Sequence, residues 1–184
     1  ASLMADWLLG NQELKTVLEP AFGLGVFTRA LIGKKSNLYI KGFDIYETIL
    51  SEAKEIFSDT PNFDLLLEDY MFNDWNNKYD GIICNPPYFK FHDYDNKIIL
   101  NEIENRLKIK LSGFTNLYTL FLLKSIYQLN SNGRLAYIIP SEFLNSDYGK
   151  LVKSALIKNK VLRHIVVFDF EENVFDDALT TACI

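Results

Sequence analysis

The residues whose chemistry stands out are Asn85-Pro86-Pro87-Tyr88, which follow directly on the apolar run Tyr79 to Cys84. Ile82, Ile83 and Cys84 leave that run no polar face, as expected of a buried strand in a parallel sheet. Two prolines then end it. Neither can donate to a ladder, each holds φ at about −65°, and Pro87 drives Pro86 towards extended geometry. The rigid tip carries an amide side chain (Asn85), carbonyls released from the ladder, and an aromatic ring (Tyr88). Two hydrogen-bond acceptors and one stacking face suit a planar group bearing an amino nitrogen. A stiff turn with no chemistry uses the same residues, so the elements around the tip must decide.

Three further strand ends carry residues of the right kind. Thr16 to Glu19 predicts a short strand, followed by Pro20-Ala21-Phe22-Gly23-Leu24-Gly25 and a helix through Ala30-Leu31-Ile32. Glycines in such a turn let backbone approach a ligand closely. Thr28 stands where the dinucleotide fingerprint needs its third glycine, which disfavours pyrophosphate and, with it, a nicotinamide dehydrogenase. A second strand, Leu38 to Phe43, ends in Asp44. That acid lies about 20 residues past the glycines, where a carboxylate accepts ribose hydroxyls; Asp is also a favoured helix N-cap. A third strand, Phe63 to Leu67, ends in Glu68-Asp69-Tyr70. An acid and an aromatic there can hold and cover an adenine ring, or can be plain surface residues.

The remaining elements must position these ends. Residues 1–9 show helical apolar spacing at Leu3, Met4, Trp7 and Leu8, and Gly10-Asn11 closes that helix. A helix over about 46–57 has Ile49, Ala53, Ile56 and Phe57 on one face. After Tyr88 comes a polar-aromatic stretch, Phe89 to Asp95, then a helix near 96–108, and residues 109–115 break the pattern. An excursion this long reads as a lid or substrate loop. Asn116 to Leu129 is apolar nearly all round and predicts a buried helix. Asn130 to Gly133 predicts a turn, Arg134 to Pro140 a fifth strand, and Ser146 or Asp147 the cap of a helix whose core face is Tyr148, Leu151, Val152, Ala155 and Leu156. Leu162 to Phe168 is a sixth strand, and Ala178 to Ile184 starts a seventh. Alternating strands and helices give a doubly wound α/β sheet.

Composition narrows the class. The 184 residues fit one domain with a sizeable core, and 14 Phe and 10 Tyr make that core strongly aromatic. No apolar run reaches the ~18 residues of a membrane span, and no signal peptide is expected. Cys84 and Cys183 each sit in an apolar run, as buried small hydrophobes do in a reducing cytoplasm. His92 and His164 have no partner at metal-ligand spacing and are assigned to structure or surface, so no metal is expected. A net charge of −5 argues against a self-sufficient nucleic-acid binder. The chain opens at Ala1 and closes inside an apolar run, as expected of a fragment of a longer protein.

Taken together and in order, Glu19 to Phe27, Asp44, Asp69-Tyr70 and Asn85-Pro86-Pro87-Tyr88 resemble the S-adenosylmethionine-dependent adenine-N6 DNA methyltransferases of restriction–modification systems. The similarity is to the branch in which the cofactor motif comes first and the target-recognition domain last. Asn116-Leu117-Tyr118, the run Gly133 to Ser141, and Val174 to Ala178 look like that branch's later motifs, so the resemblance spans essentially the whole chain. It implies a Rossmann-like sheet of seven strands, mostly parallel with an antiparallel last strand, and makes residues 1–184 a catalytic domain without its recognition domain. It also implies roles. Glu19, Pro20, Ala21, Phe22, Gly23 and Gly25 would wrap the methionine part of S-adenosyl-L-methionine. Asp44 would take the ribose and Ile45 pack on the adenine, with Asp69 accepting from its amino group and Tyr70 flanking the ring. Asn85 and the Pro86 carbonyl would grip the target amine, with Pro87 stiffening the tip and Tyr88 stacking on the flipped base. The implied partners are DNA, through the full-length protein, and a restriction or specificity subunit or fused domain. The opening helix lacks the leading Thr-Pro of the family's additional cofactor motif. RNA-adenine and protein-glutamine methyltransferases share the tip, and a non-catalytic cofactor-binding module of a restriction complex is the alternative of a different class.

Overall fold

The computed structural model describes residues 1–88, 96–108, 110, 116–146, 149–168 and 181–184. The stretch Phe89 to Asp95 with His92, most of 109–115, the alternative cap Asp147 with the core-face Tyr148, and the Val174 to Ala178 motif lie outside the described residues. The chain divides into two compact units, Ala1–Asn85 with Lys124–Ala136, and Pro86–Leu123 with Tyr137–Ile184.

The first unit is built on a five-stranded sheet in the order β3-β2-β1-β4-β5: β1 (Thr16–Glu19), β2 (Tyr39–Asp44), β3 (Phe63–Leu67), β4 (Tyr79–Cys84) and β5 (Leu129–Tyr137). β1 runs parallel to β2 and β4, and β2 parallel to β3. Glu19 lies opposite Gly42 and Asp44 opposite Leu67, so these strands end almost level and deliver 20–25, 44–46 and 68–72 to one edge. α1 (Ser2–Leu9) buries Met4, Ala5 and Leu8, a 3–4 spacing that lays it on β4 and α2 (Val26–Ile32). α3 (Glu47–Ile56) also follows helical spacing, on a face that keeps the expected Ala53 and Phe57 but is turned to take in Leu50. Leu50, Ala53 and Phe57 are buried, whereas Ile56 is largely exposed. Leu50, Ala53 and Phe57 close on Phe22 and Leu65 as one cluster, in which Phe22 and Phe57 meet edge to face at 5.7 Å.

Asp80 ties three strands together at their starts. Its carboxylate accepts from the Lys15 and Thr16 amides, the Thr16 hydroxyl at 3.0 Å and the Asn130 amide at 2.8 Å. Burial alone would raise its pKa, yet the bonds from Asn130, Thr16 and Lys15 hold it below the ordinary value. This explains a correction. Asn130 to Gly133 is not a free turn but part of β5, because Asn130 is bound to β4 through Asp80, and Asn132 takes the left-handed φ of 64° that asparagine tolerates.

The second unit holds α4 (Asn96–Leu107), the first residues of α5 (Leu117–Gln128), β6 (Ile139–Pro140), a 3-10 turn over Ser141–Leu144, α6 (Gly149–Lys158) and β7 (Ala182–Cys183). The expected fifth strand breaks after Tyr137 and resumes as β6. β7 is antiparallel to β6 and bridges Val167 on its other side, also antiparallel. The expected sixth strand is thus short: among the described residues, Val166 exchanges backbone bonds with Ile184, and the Phe168 amide donates to the Ala182 carbonyl. The fold is α/β, with a mostly parallel central sheet of five strands and a separate antiparallel pair, β6 and β7, in place of the single seven-stranded sheet expected. Among the described residues no helix is long and apolar enough to cross a membrane.

Candidate active site

The glycine turn is held from beneath by Glu19. Its carboxyl is buried (1% exposed) and accepts the Thr28 amide at 3.1 Å and the Thr28 hydroxyl at 2.6 Å. Burial raises its pKa to about 8 against the opposing hydrogen bonds from Thr28 and Phe27. Thr28, which in the sequence only spoils a fingerprint, is therefore the residue that lets β1 end in a buried acid. The Phe22 amide donates to the Phe43 carbonyl at 2.9 Å, stitching the turn to β2. Gly23 and Gly25 both have positive φ, 55° and 70°, but their surroundings differ. A Cβ on Gly25 would sit 2.5 Å from Phe57 and 2.7 Å from Phe22, whereas one on Gly23 would meet nothing within 4 Å. The backbone at Gly23 is open to approach. Pro20 is buried and Ala21 half-buried.

Asp44 joins this turn to the next helix. One carboxylate oxygen accepts the Gly23 amide at 2.8 Å and the other the Tyr46 amide at 2.9 Å. Asp44 does not take the helix-capping role open in the sequence: the N-cap of α3 is Tyr46, without a side-chain cap bond, and Asp44 instead closes the turn before the helix and fixes the glycine turn. A carboxylate has about four lone-pair sites, so these two bonds leave acceptor capacity for a ligand. Ile45 and Tyr46 project beside it, both more than half exposed.

Past β3 the chain forms a strap over 69–78. The Met71 amide donates to Asp69 Oδ1 at 2.8 Å, and the Phe72 amide to the Asp69 carbonyl at 3.2 Å. Tyr70 departs from expectation. Its side chain is 1% exposed, and its hydroxyl bonds Gln128 Oε1 at 2.6 Å and Ser125 Oγ at 3.0 Å, so the ring belongs to the core. Burial pushes its phenol well above the ordinary pKa. The Lys124 ammonium lies 4.0 Å over the Tyr70 ring and donates to the carbonyls of Tyr70 and Asn73. Asp74, left-handed at φ 65°, receives Lys41 at 3.2 Å and the Tyr79 hydroxyl at 2.6 Å. Sequence reasoning missed Lys124, Ser125 and Gln128. The available signal was their 3–4 spacing, a polar stripe on a helix otherwise read as apolar all round.

The Asn-Pro-Pro-Tyr tip follows β4 as expected. Asn85 is exposed at the strand's carboxyl end. In the second unit Pro86 is buried, Pro87 half-buried and Tyr88 41% exposed. The Tyr88 hydroxyl donates to the Ile138 carbonyl at 3.2 Å, and its ring stands edge to face with Tyr118 at 6.4 Å and 83°. Two contacts thus fix the ring while leaving part of it open. Among the described residues no cluster of His, Cys, Asp and Glu could hold a metal ion.

Comparison with known proteins places this arrangement. The model of the Eco57I restriction-modification methylase family matches residues 26–175. The chain belongs to that family. It is 73% identical to the Type II methyltransferase M.AccI of Acinetobacter calcoaceticus over 184 residues, which is 100% of this chain and 34% of that protein. It is 32% identical over 135 residues to the Type II restriction enzyme and methyltransferase RM.Eco57I of Escherichia coli, covering 72% of this chain and 12% of that one. The chain therefore spans about a third or less of these relatives' length. Among solved structures, the methyltransferase subunit of a type I restriction-modification system from Streptococcus thermophilus superposes with TM-score 0.81 at 18% identity, over 99% of this chain and 42% of that chain. A Listeria monocytogenes protein assigned to the class I S-adenosylmethionine-dependent methyltransferases superposes at 0.72 and 17% identity, over 99% of this chain and 56% of the other. At these identities the likeness establishes a shared fold.

Proposed function

We propose that this chain is the catalytic domain of a restriction–modification enzyme that methylates the N6 amine of a flipped-out adenine in DNA, with S-adenosyl-L-methionine as donor. The observation that carries the reading is the intact Asn85-Pro86-Pro87-Tyr88 tip at the end of β4, in a member of the Eco57I methylase family. The cofactor fits the residues present: an approachable, positive-φ Gly23, a fixed carboxylate at Asp44, and an acid and apolar side chains at the ends of β2 and β3. Residues 19–25 hold its methionine part, Asp44 the ribose, Ile45 and Asp69 the adenine. Bound there, it supplies an electrophilic sulfonium methyl group.

A base inside a duplex presents its amine edge-on and must leave the stack to be reached. Tyr88 offsets part of that cost, since stacking on an aromatic is worth about 1–3 kcal/mol per base. The tether to Ile138 and the edge contact with Tyr118 hold the ring ready. The exocyclic nitrogen is a poor nucleophile because its lone pair is delocalised into the base. Asn85 Oδ1 and the Pro86 carbonyl accept its two hydrogens, draw the nitrogen towards tetrahedral geometry and so restore the lone pair. Rigid acceptors aimed at charge that develops only during transfer need no reorganisation. Sequence recognition and most phosphate contacts come from parts of the parent protein beyond these 184 residues, because 24 acids against 19 bases repel a polyanion overall. A separate restriction or specificity subunit, or a fused domain, completes the system in the cytoplasm.

The test is to express the full-length protein in methylation-free cells and map modified bases by single-molecule sequencing. N6-methyladenine at one recurring sequence is expected, and Asn85→Ala should abolish it while leaving cofactor affinity within a few-fold. Methylcytosine instead, or methyl groups only in RNA or protein, would overturn the assignment.

A further inference from the structure

The second unit leaves bare a run that its residue types would bury. Leu162 to Phe168 reads as an apolar strand in the sequence, yet Val161, Leu162, Ile165, Val166 and Val167 are all exposed, Val167 to 55%. Ile157, in the last turn of α6, joins them at 65%. One exposed apolar side chain needs no explanation, but six so close together do. The backbone is open on the same run. Val166 exchanges both its bonds with Ile184 and the Phe168 amide donates to Ala182, so residues 166 and 168 face β7. In an antiparallel ladder the residue between them turns its amide and carbonyl the other way. Among the described residues nothing bonds the amide or carbonyl of Val167, or of Ile165 further along that edge. Charge of one sign accompanies the edge. There is no acid from Gly149 to Phe168, and Lys158, Lys160 and Arg163 make no ion pair among the described residues, in a chain of net charge −5.

We infer that this edge is the seat of an extended, acidic segment of the parent protein that lies outside the 184 residues. The chain spans about a third or less of its relatives' length, so most of a protein built on that plan is left to supply the segment. Free amides and carbonyls at alternate residues take a strand by main-chain pairing, and the apolar side chains beside them grip it. The three cations set its sign, because a carboxylate opposite them satisfies an unpaired charge. An edge kept for solvent alone is ordinarily interrupted by charge; here Ile165, Val166 and Val167 run on unbroken, with cations only before them. A second copy pairing edge to edge would bring two strips of the same sign together, which opposes self-association. A nucleic acid would use the cations but neither the strand edge nor the apolar face. The surface therefore holds the rest of the enzyme onto its catalytic domain.

The experiment uses the full-length protein without DNA, so that no nucleic acid supplies protection. Hydrogen exchange read at single residues should show the Ile165 and Val167 amides slowed by about a hundredfold or more against an unstructured chain. That readout needs no variant, so it decides even where a variant does not fold. Ile165→benzoylphenylalanine, irradiated in a mixture of isotope-labelled and unlabelled protein, should cross-link within one chain to a peptide outside residues 1–184 that contains Asp or Glu. Arg163→Glu should lower the protection of Ile165 about two- to fivefold, the range of an exposed ion pair, and Arg163→Lys should leave it unchanged. Unprotected amides at Ile165 and Val167 would overturn the inference. So would a cross-link confined to residues 1–184, or one joining labelled to unlabelled chains, which would make the occupant a second copy. Protection that Arg163→Glu leaves untouched would refute the acidic occupant.

Discussion

Gly23 and Gly25 lie two residues apart in one turn, and the structure predicts that alanine at each will fail in a different way. Both need a left-handed backbone, which costs an L-residue about 1–2 kcal/mol. At Gly25 the new methyl also enters the Phe22–Phe57 cluster at 2.5–2.7 Å, and both rings are buried. Overpacking of that kind costs about 1–3 kcal/mol, so Gly25→Ala should lose roughly 2–5 kcal/mol in all. For a chain of this size that lowers the melting temperature by about 5–15 °C. Gly23→Ala carries only the backbone strain, because its methyl meets nothing within 4 Å. That methyl does, however, stand on the open side of the turn, where the cofactor's backbone contacts are proposed. The two variants should therefore rank oppositely in two assays on the full-length protein. Gly25→Ala melts lower in thermal unfolding, and Gly23→Ala loses more affinity for S-adenosylhomocysteine in calorimetry. If Gly23→Ala binds as well as the parent, or if Gly25→Ala melts no lower than Gly23→Ala, the geometry of the turn has been misread.

Three more outcomes are expected. Glu19 has a folded pKa of about 8 against an ordinary 4.5, so the folded chain holds a proton that the unfolded chain has lost. The contribution of Glu19 to stability is then complete below pH 4.5 and is lost at up to about 1.4 kcal/mol per unit as pH rises towards 8. Glu19→Gln keeps an acceptor for Thr28 and should flatten that slope in urea unfolding between pH 5 and about 8; parallel slopes for variant and parent would contradict the burial argument. Asp44→Ala removes the acceptor for the Gly23 and Tyr46 amides and the proposed charged acceptor for ribose, and should weaken S-adenosylhomocysteine about tenfold or more. Unchanged affinity by calorimetry would remove Asp44 from the site. Tyr88→Phe loses the tether to Ile138 but keeps the ring, so turnover should drop by roughly fivefold with cofactor affinity unchanged. A loss as deep as that of Asn85→Ala would mean that the hydroxyl does more than position.

What could be read from the sequence was whatever the chain encodes locally. The strand that stops at Pro86, the Gly-x-Gly turn and the acid closing β2 each depend on neighbours a few residues away, and all lie where expected. Side-chain direction beyond a strand end does not. Whether Tyr70 or Phe72 faces out is decided by the Asp69 turn and by Gln128 and Ser125, more than 50 positions along the chain. Asn130 to Gly133 has the composition of a turn, but Asp80 recruits it into the sheet. Thr28 could be counted against one motif, while its bond to Glu19 could not be foreseen without knowing that the acid is buried.

The strap over 69–78 has almost no regular secondary structure, yet it is fastened at both ends and in the middle. Lys124 takes two of its carbonyls, Asp74 gathers Lys41, Gln128 and Tyr79, and the Trp75 indole donates to the Met71 carbonyl at 3.1 Å. Loops normally surrender conformational freedom when a ligand arrives, at roughly 1–2 kcal/mol per residue fixed. Here that freedom is already lost when the chain folds. In hydrogen exchange the amides of 71–73 should therefore be slow before any ligand is added, and cofactor should add little further protection to them. Such a floor favours a fast, shallow on-step, with affinity differences between ligands expressed mainly in how quickly they leave.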